Sequence, residues 1–174
     1  MIIVLLGYMG SGKSTVGQVL AEKMDFKFLD LDHYIEQNHK TTISEIFNSK
    51  GEIFFRKIEA EAVKQLSNSS DSLILALGGG TPCYYDTMQF LIKHPNVVTV
   101  ALNISVKNVS ERLIKEKAKR PLIANISDEA IPEFIAKHLF ERSFFYNQAE
   151  IRIQTDALSV SEIVTAINSK ITLK

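Results

Sequence analysis

The chain has 174 residues, 45% of them hydrophobic and 23% charged, with 20 basic and 20 acidic side chains and a formal net charge of zero. That length suits about one domain with a substantial core, and the balanced charge removes any general pull toward nucleic acid or an anionic membrane. No apolar stretch is long enough to span a bilayer, the apolar start lacks the basic flank of a secretory signal, and the single cysteine, Cys83, excludes an internal disulfide and a cysteine metal site. A cytoplasmic protein with no nucleic-acid or membrane partner is therefore expected; a monomer is expected too, though composition and charge do not decide it.

Ile2-Ile3-Val4-Leu5-Leu6 reads as a strand and runs into Gly7-Tyr8-Met9-Gly10-Ser11-Gly12-Lys13-Ser14-Thr15. The spacing GxxxxGK[ST], after a strand and ahead of a helical pattern (Val16, Val19, Leu20, Met24), is a phosphate-binding P-loop. Its glycines let backbone N–H groups wrap a chain of phosphates. Lys13 reaches the terminal phosphates, and the Ser14 hydroxyl can ligate Mg²⁺. A second strand, Lys27–Asp30, ends in Asp30-Leu31-Asp32. Strand alternation points residues two apart to the same side, so both carboxylates are expected to face the crevice. The alternative is an acid-decorated helix start, which suits Asp32 better than Asp30. His33 reads as a surface or capping residue.

Thr42-Ile43-Ser44-Glu45 is a capping box opening a long helical stretch to residue 66, broken near Gly51. So much helix suggests a small lobe over the sheet edge. A third strand, Leu73–Leu77, runs into Gly78-Gly79-Gly80, which allows close backbone approach to a ligand or else a flexible turn. Helix 84–93, strand Val97–Leu102 and helix 105–118 follow. Lys115–Ile126 is basic (Lys115, Lys117, Lys119, Arg120) and holds Pro121. It reads either as a closing lid or as a solvated loop. Helix 128–147, strand Ile151–Gln154 and helix 159–170 complete the chain.

This alternation predicts an α/β fold: a five-stranded parallel sheet in three layers, flanked by helices, with ligands beyond the carboxyl ends of the strands. Two arginines, Arg56 and Arg142, lie among aromatic and apolar residues that could hold their stems. A guanidinium fork suits a carboxylate. Either could instead be a helix-surface residue or pair with an acid such as Glu59. No GxSxG, HExxH or Cys/His cluster points to other chemistry.

In order and spacing, Gly7–Thr15, Leu29–Asp32, Phe55–Glu59, Leu77–Gly80, Arg120-Pro121-Leu122-Ile123 and Arg142–Tyr146 resemble the motifs of the shikimate kinases, small P-loop enzymes of the nucleoside-monophosphate-kinase-like group. The resemblance covers nearly the whole chain. It implies one P-loop kinase domain over residues 1–174, with a substrate-binding lobe at about 32–62 and a lid at about 112–126. It implies transfer of the γ-phosphoryl group of ATP to the 3-hydroxyl of shikimate, with Mg²⁺, on the route to chorismate and the aromatic amino acids.

The implied roles follow the motifs. Gly10, Ser11, Gly12, Lys13, Ser14 and Thr15 hold the nucleotide, with Arg112 against adenine and Arg120 reaching the phosphates from the lid. Ser14 and Asp30 serve Mg²⁺. Asp32 meets the acceptor hydroxyl and acts as base. Arg56 and Arg142 clamp the carboxylate of shikimate, Gly78, Gly79 and Gly80 give it backbone contacts, and Phe47 and Phe55 wall the pocket. Two departures are small: Ile123 stands where Leu is usual, and Gly80-Thr81-Pro82-Cys83 replaces commoner small residues. The competing readings are a gluconate or nucleoside-monophosphate kinase of the same fold, and a non-catalytic nucleotide-binding module.

Overall fold

In the computed structural model, which describes residues 1–117 and 121–172, the central strand is β1 (Ile2–Leu6), buried at every position. Its flanks are β3 (Leu73–Ala76) and β4 (Val97–Asn103), and outside these lie β2 (Lys27–Asp30) and β5 (Ile151–Gln154). All four pairings are parallel, in the order β2-β3-β1-β4-β5. A parallel strand covered on both faces needs an unbroken apolar run, and Ile2 to Leu6 supplies it. Ile2, Val4 and Leu6 point into one core and Ile3 and Leu5 into the other.

One face is covered by α1 (Lys13–Met24) and α7 (Val160–Thr172). The other carries α2 (Leu31–His39), α3 (Ile43–Ser67), α4 (Thr87–Lys93), α5 (Val106–Lys115) and α6 (Ile131–Tyr146). The expected three layers and five parallel strands are thus present. Among the described residues no helix is long and apolar enough to cross a membrane.

The capping box forms in both directions: Thr42 Oγ1 accepts from Glu45 N–H, and the Glu45 carboxylate accepts from Thr42 N–H. The break falls at Gly51, whose left-handed φ of 79° kinks α3. Instead of one helix over 84–93, a 3-10 turn spans Thr81–Cys83, and Tyr84-Tyr85-Asp86 connects it to α4. The proline behind three glycines favours that tight turn over a helix running straight on.

The second strand corrects one expectation. The helix begins at Leu31, so Asp30 is its N-cap, and the Asp30 side chain accepts from the Asp32 N–H at 3.1 Å. Strand alternation therefore does not relate the two carboxylates; a cap and a first helical turn do. The capping role falls to Asp30, which frees Asp32 to point elsewhere.

Candidate active site

Gly12 caps α1 in the left-handed region, at φ 93°, with no side-chain cap. The first-turn N–H groups of α1 therefore face the loop Gly7–Gly12 without helical acceptors, as an anion site requires. Lys13 Nζ donates to the carbonyls of Gly7 at 2.8 Å and Tyr8 at 3.0 Å. The ammonium thus lies across the mouth of its own loop. From α5, Arg112 Nη1 donates to the Gly10 carbonyl at 3.2 Å, which puts this arginine beside the same loop. Arg120 lies outside the described residues. On either side of it, Ile123 is fully buried in the core, and Lys117 pairs with Asp128 at 2.8 Å.

Ser14 Oγ donates to Asp30 Oδ2 at 2.7 Å. Two hard oxygen donors so close suit Mg²⁺, which commonly takes one or two protein oxygens and leaves its other positions to water and phosphate. Among the described residues no group of three or more His, Cys, Asp or Glu could hold a metal alone.

A second group of side chains gathers around the three glycines. None of them has a positive φ, so their value here is space, with no φ requirement. A Cβ on Gly78 would meet Thr81 Oγ1 at 2.9 Å, Glu59 Oε1 at 3.0 Å and Asp32 Oδ1 at 3.3 Å. One on Gly79 would meet Met9 N at 3.2 Å and Arg142 Nη1 at 3.5 Å, and one on Gly80 would meet the Arg56 guanidinium at 3.0 Å. Asp32, Arg142 and Arg56 are thus brought together along one glycine run, beside the P-loop backbone at Met9.

Each charged group there is perturbed or braced. Burial pushes the Asp32 carboxyl up to about 6, helped by the negative charges of Glu59 and Asp30 and opposed by Lys13. Glu59 is 2% exposed. Burial pushes its carboxyl up as well, against the pull of Arg56 and Thr81. Arg56 Nη1 donates to Glu59 at 2.7 Å, and its Nε and Nη2 donate to Glu52 at 3.2 Å. Of the five guanidinium N–H donors this leaves one on each terminal nitrogen. Arg142 lies 5.5 Å over the Tyr8 ring, and the Tyr146 hydroxyl donates to the Gly79 carbonyl. The rings of Phe47 and Phe55 are 4.6 Å apart, with the Arg56 guanidinium 6.0 Å and 5.3 Å from them. Burial pushes the Cys83 thiol up to about 11, so it is inert at neutral pH. His33 is exposed and bonds its helix neighbour Gln37.

The shikimate kinase family model matches residues 9–172. The chain belongs to that family. A shikimate kinase from Flavobacterium johnsoniae is 48% identical over 165 residues, covering 95% of each chain. The crystal structure of shikimate kinase from Bacteroides thetaiotaomicron superposes with a TM-score of 0.87 at 33% identity, over 99% of this chain and 97% of that one. Shikimate kinase from Acinetobacter baumannii in complex with shikimate gives the same TM-score at 32% identity, over 99% and 93%. A gluconokinase from Sinorhizobium meliloti, at 16% identity and a TM-score of 0.58, shares the fold alone.

Sequence reasoning assigned no part in the site to Glu52, Tyr84, Thr81, Tyr8 or Tyr146. Glu59 stood in the motif as a possible partner for Arg56. Helical spacing was the available signal for Glu59, three from Arg56, for Glu52, four from Arg56, and for Tyr146, four from Arg142; Thr81, Tyr84 and Tyr8 come from other elements and carry no such signal.

Proposed function

We propose that Lys13, Asp32, Arg56 and Arg142 divide the work of an ATP-dependent shikimate kinase in this chain. The reaction moves the γ-phosphoryl group of ATP to the 3-hydroxyl of shikimate, giving shikimate 3-phosphate and ADP. In such a transfer the protein positions the reactants and neutralises charge, with little covalent chemistry of its own. Gly10, Ser11, Gly12, Lys13, Ser14 and Thr15 receive the phosphates. Lys13 then exchanges the carbonyls of its loop for phosphate oxygens. Arg112 and the lid arginine Arg120 add contacts to the nucleotide. Ser14, with Asp30 behind it, would hold Mg²⁺, which when bound would supply positive charge to the phosphates.

On the acceptor side, the two remaining N–H groups of Arg56 and the guanidinium of Arg142 take the carboxylate of shikimate. The bare backbone of Gly78, Gly79 and Gly80 lets the ring approach. Asp32 accepts a hydrogen bond from the attacking hydroxyl and takes its proton as the new P–O bond forms and the bond to ADP breaks. A carboxyl raised to about 6 is ionised at neutral pH, yet is a stronger base than an ordinary aspartate. Residues at about 32–62 form the acceptor lobe and those at about 112–126 the lid, whose closure excludes water as a rival acceptor. Every residue invoked comes from one chain, so a monomer suffices.

The observation that carries this assignment is the gathering of Asp32, Arg142 and Arg56 along the three glycines next to the P-loop. A coupled ADP-release assay with ATP and Mg²⁺ tests it against shikimate, gluconate, AMP and CMP. Shikimate-dependent turnover is expected, and turnover with gluconate or a nucleotide instead would overturn it.

A further inference from the structure

The segment behind the three glycines contributes nothing to the roles above, yet both of its ends reach Arg56. Thr81 is 1% exposed, and its backbone N–H is tied to the Gly78 carbonyl at 3.2 Å. Its hydroxyl donates to Glu59 Oε1, while Glu59 Oε2 accepts from Arg56 Nη1. The two oxygens of one buried carboxylate are thus divided between the threonine and the arginine. Three residues on, the Tyr84 ring lies 4.3 Å from the Arg56 guanidinium, and its hydroxyl donates to Glu52 Oε1 at 3.1 Å. That same oxygen accepts from Arg56 Nε and Nη2.

We propose that Thr81 and Tyr84 are positioning residues that brace Arg56 for the acceptor carboxylate. Thr81 works from beneath, through Glu59, and Tyr84 from outside, through its ring and Glu52. The proposal rests on the reading that Arg56 meets that carboxylate.

The physical case is one of freedom removed. An arginine side chain has several rotatable bonds, and a clamp that must first find its orientation loses affinity in doing so. Glu59 can fix Arg56 only if Glu59 is itself fixed, and a buried carboxylate oxygen left without a donor carries a desolvation cost. The threonine hydroxyl supplies that donor. A ring over a guanidinium adds attraction beyond that of the arginine's hydrogen bonds. Each brace therefore limits the orientations open to the arginine.

The test is a set of Michaelis constants for both substrates, with thermal unfolding to verify the fold of each variant. Thr81→Val removes the donor and keeps the shape; KM for shikimate should rise roughly 5- to 30-fold while KM for ATP stays within about twofold. Thr81→Ser restores the donor and should recover most of the loss. Tyr84→Leu should raise KM for shikimate about 2- to 5-fold, with Tyr84→Phe, which keeps the ring but loses the bond to Glu52, between Leu and the parent. Loss of packing alone would leave Ser as impaired as Val, or move both Michaelis constants together; either result overturns the proposal. If Thr81→Val does not fold, the half-exposed Tyr84 carries the test, and a shikimate KM unchanged in Tyr84→Leu refutes it. Arg56→Ala separates the two levels. If it leaves KM for shikimate unchanged, the carboxylate reading of Arg56 fails and the brace falls with it. If it raises KM while the Thr81 and Tyr84 variants do not, only the brace is wrong.

Discussion

Lys13 finds its partners five and six residues back, in the loop that precedes it, whereas Arg56 is held through Glu59 by Thr81, 22 positions further on from Glu59. The phosphate half of the cleft is made from one contiguous segment and mostly from backbone. Its working parts are N–H groups, a left-handed glycine and the end of a helix. The acceptor half is assembled from α2, α3, the 3-10 turn and α6, and it holds buried or half-buried charges of both signs. A phosphate chain offers the same oxygens whatever it is attached to, so a short local device suffices for it. A hydroxylated carboxylic acid must be met on several sides at once, which requires side chains from several elements.

Substitutions should therefore separate the halves. The largest effect is expected where they meet, at Asp32. Asp32→Asn should lower kcat by about 10²- to 10⁴-fold with ATP binding nearly intact, as measured by steady-state turnover and nucleotide titration. Near-parent turnover would remove Asp32 from the chemistry. Next comes Lys13→Met, expected to cost about 10²- to 10³-fold in kcat with shikimate binding retained. A loss confined to shikimate affinity would mean that the halves are not separable. Arg142→Gln should raise KM for shikimate roughly 10- to 100-fold and barely change KM for ATP; equal losses for both substrates would contradict a clamp role.

The smallest expected effect concerns stability without ligands. The Asp32 carboxyl is raised in the folded chain, so its protonated form is the one favoured by folding. That contribution is fully present below the usual aspartate value near 3.9 and is lost as pH rises through about 6. Asp32→Asn escapes the loss. It should unfold at a higher temperature than the parent at pH 7 to 8, by about 1 to 3 kcal/mol in free energy, and the gain should vanish near pH 4. A gain that is the same at every pH would show that the strain at Asp32 is not electrostatic.

Legibility follows the same division. The strand, the loop and the start of α1 could be read because the signal lies within one segment. The capping box and the break at Gly51 could be read for the same reason. The five strands alternate with helices plainly enough to give the sheet. Asp30 and Asp32 were wrongly related, because the helix starts one residue earlier than alternation assumes. The three glycines were read as allowing either close backbone approach or a flexible turn, and it is their lack of a side chain that the structure uses. Thr81 and Tyr84 could not have been read at all: what they hold is fixed only when the turn after β3 packs against α3. The predicted lid falls partly on Lys119 and Arg120, outside the described residues.

The central position of β1 bears on how the protein is made. Its pairing partners come much later in the chain: Ile2 lies opposite Leu73 on one side and Val97 on the other. Closing contacts over such separations costs chain entropy before any pairing is gained, which slows folding relative to a bundle of local contacts. Until β3 and β4 arrive, the strand that leads into Gly7 has no neighbours to fix its direction. A nucleotide added during refolding should accordingly find no binding site until late. Its capture would time the closing of the sheet.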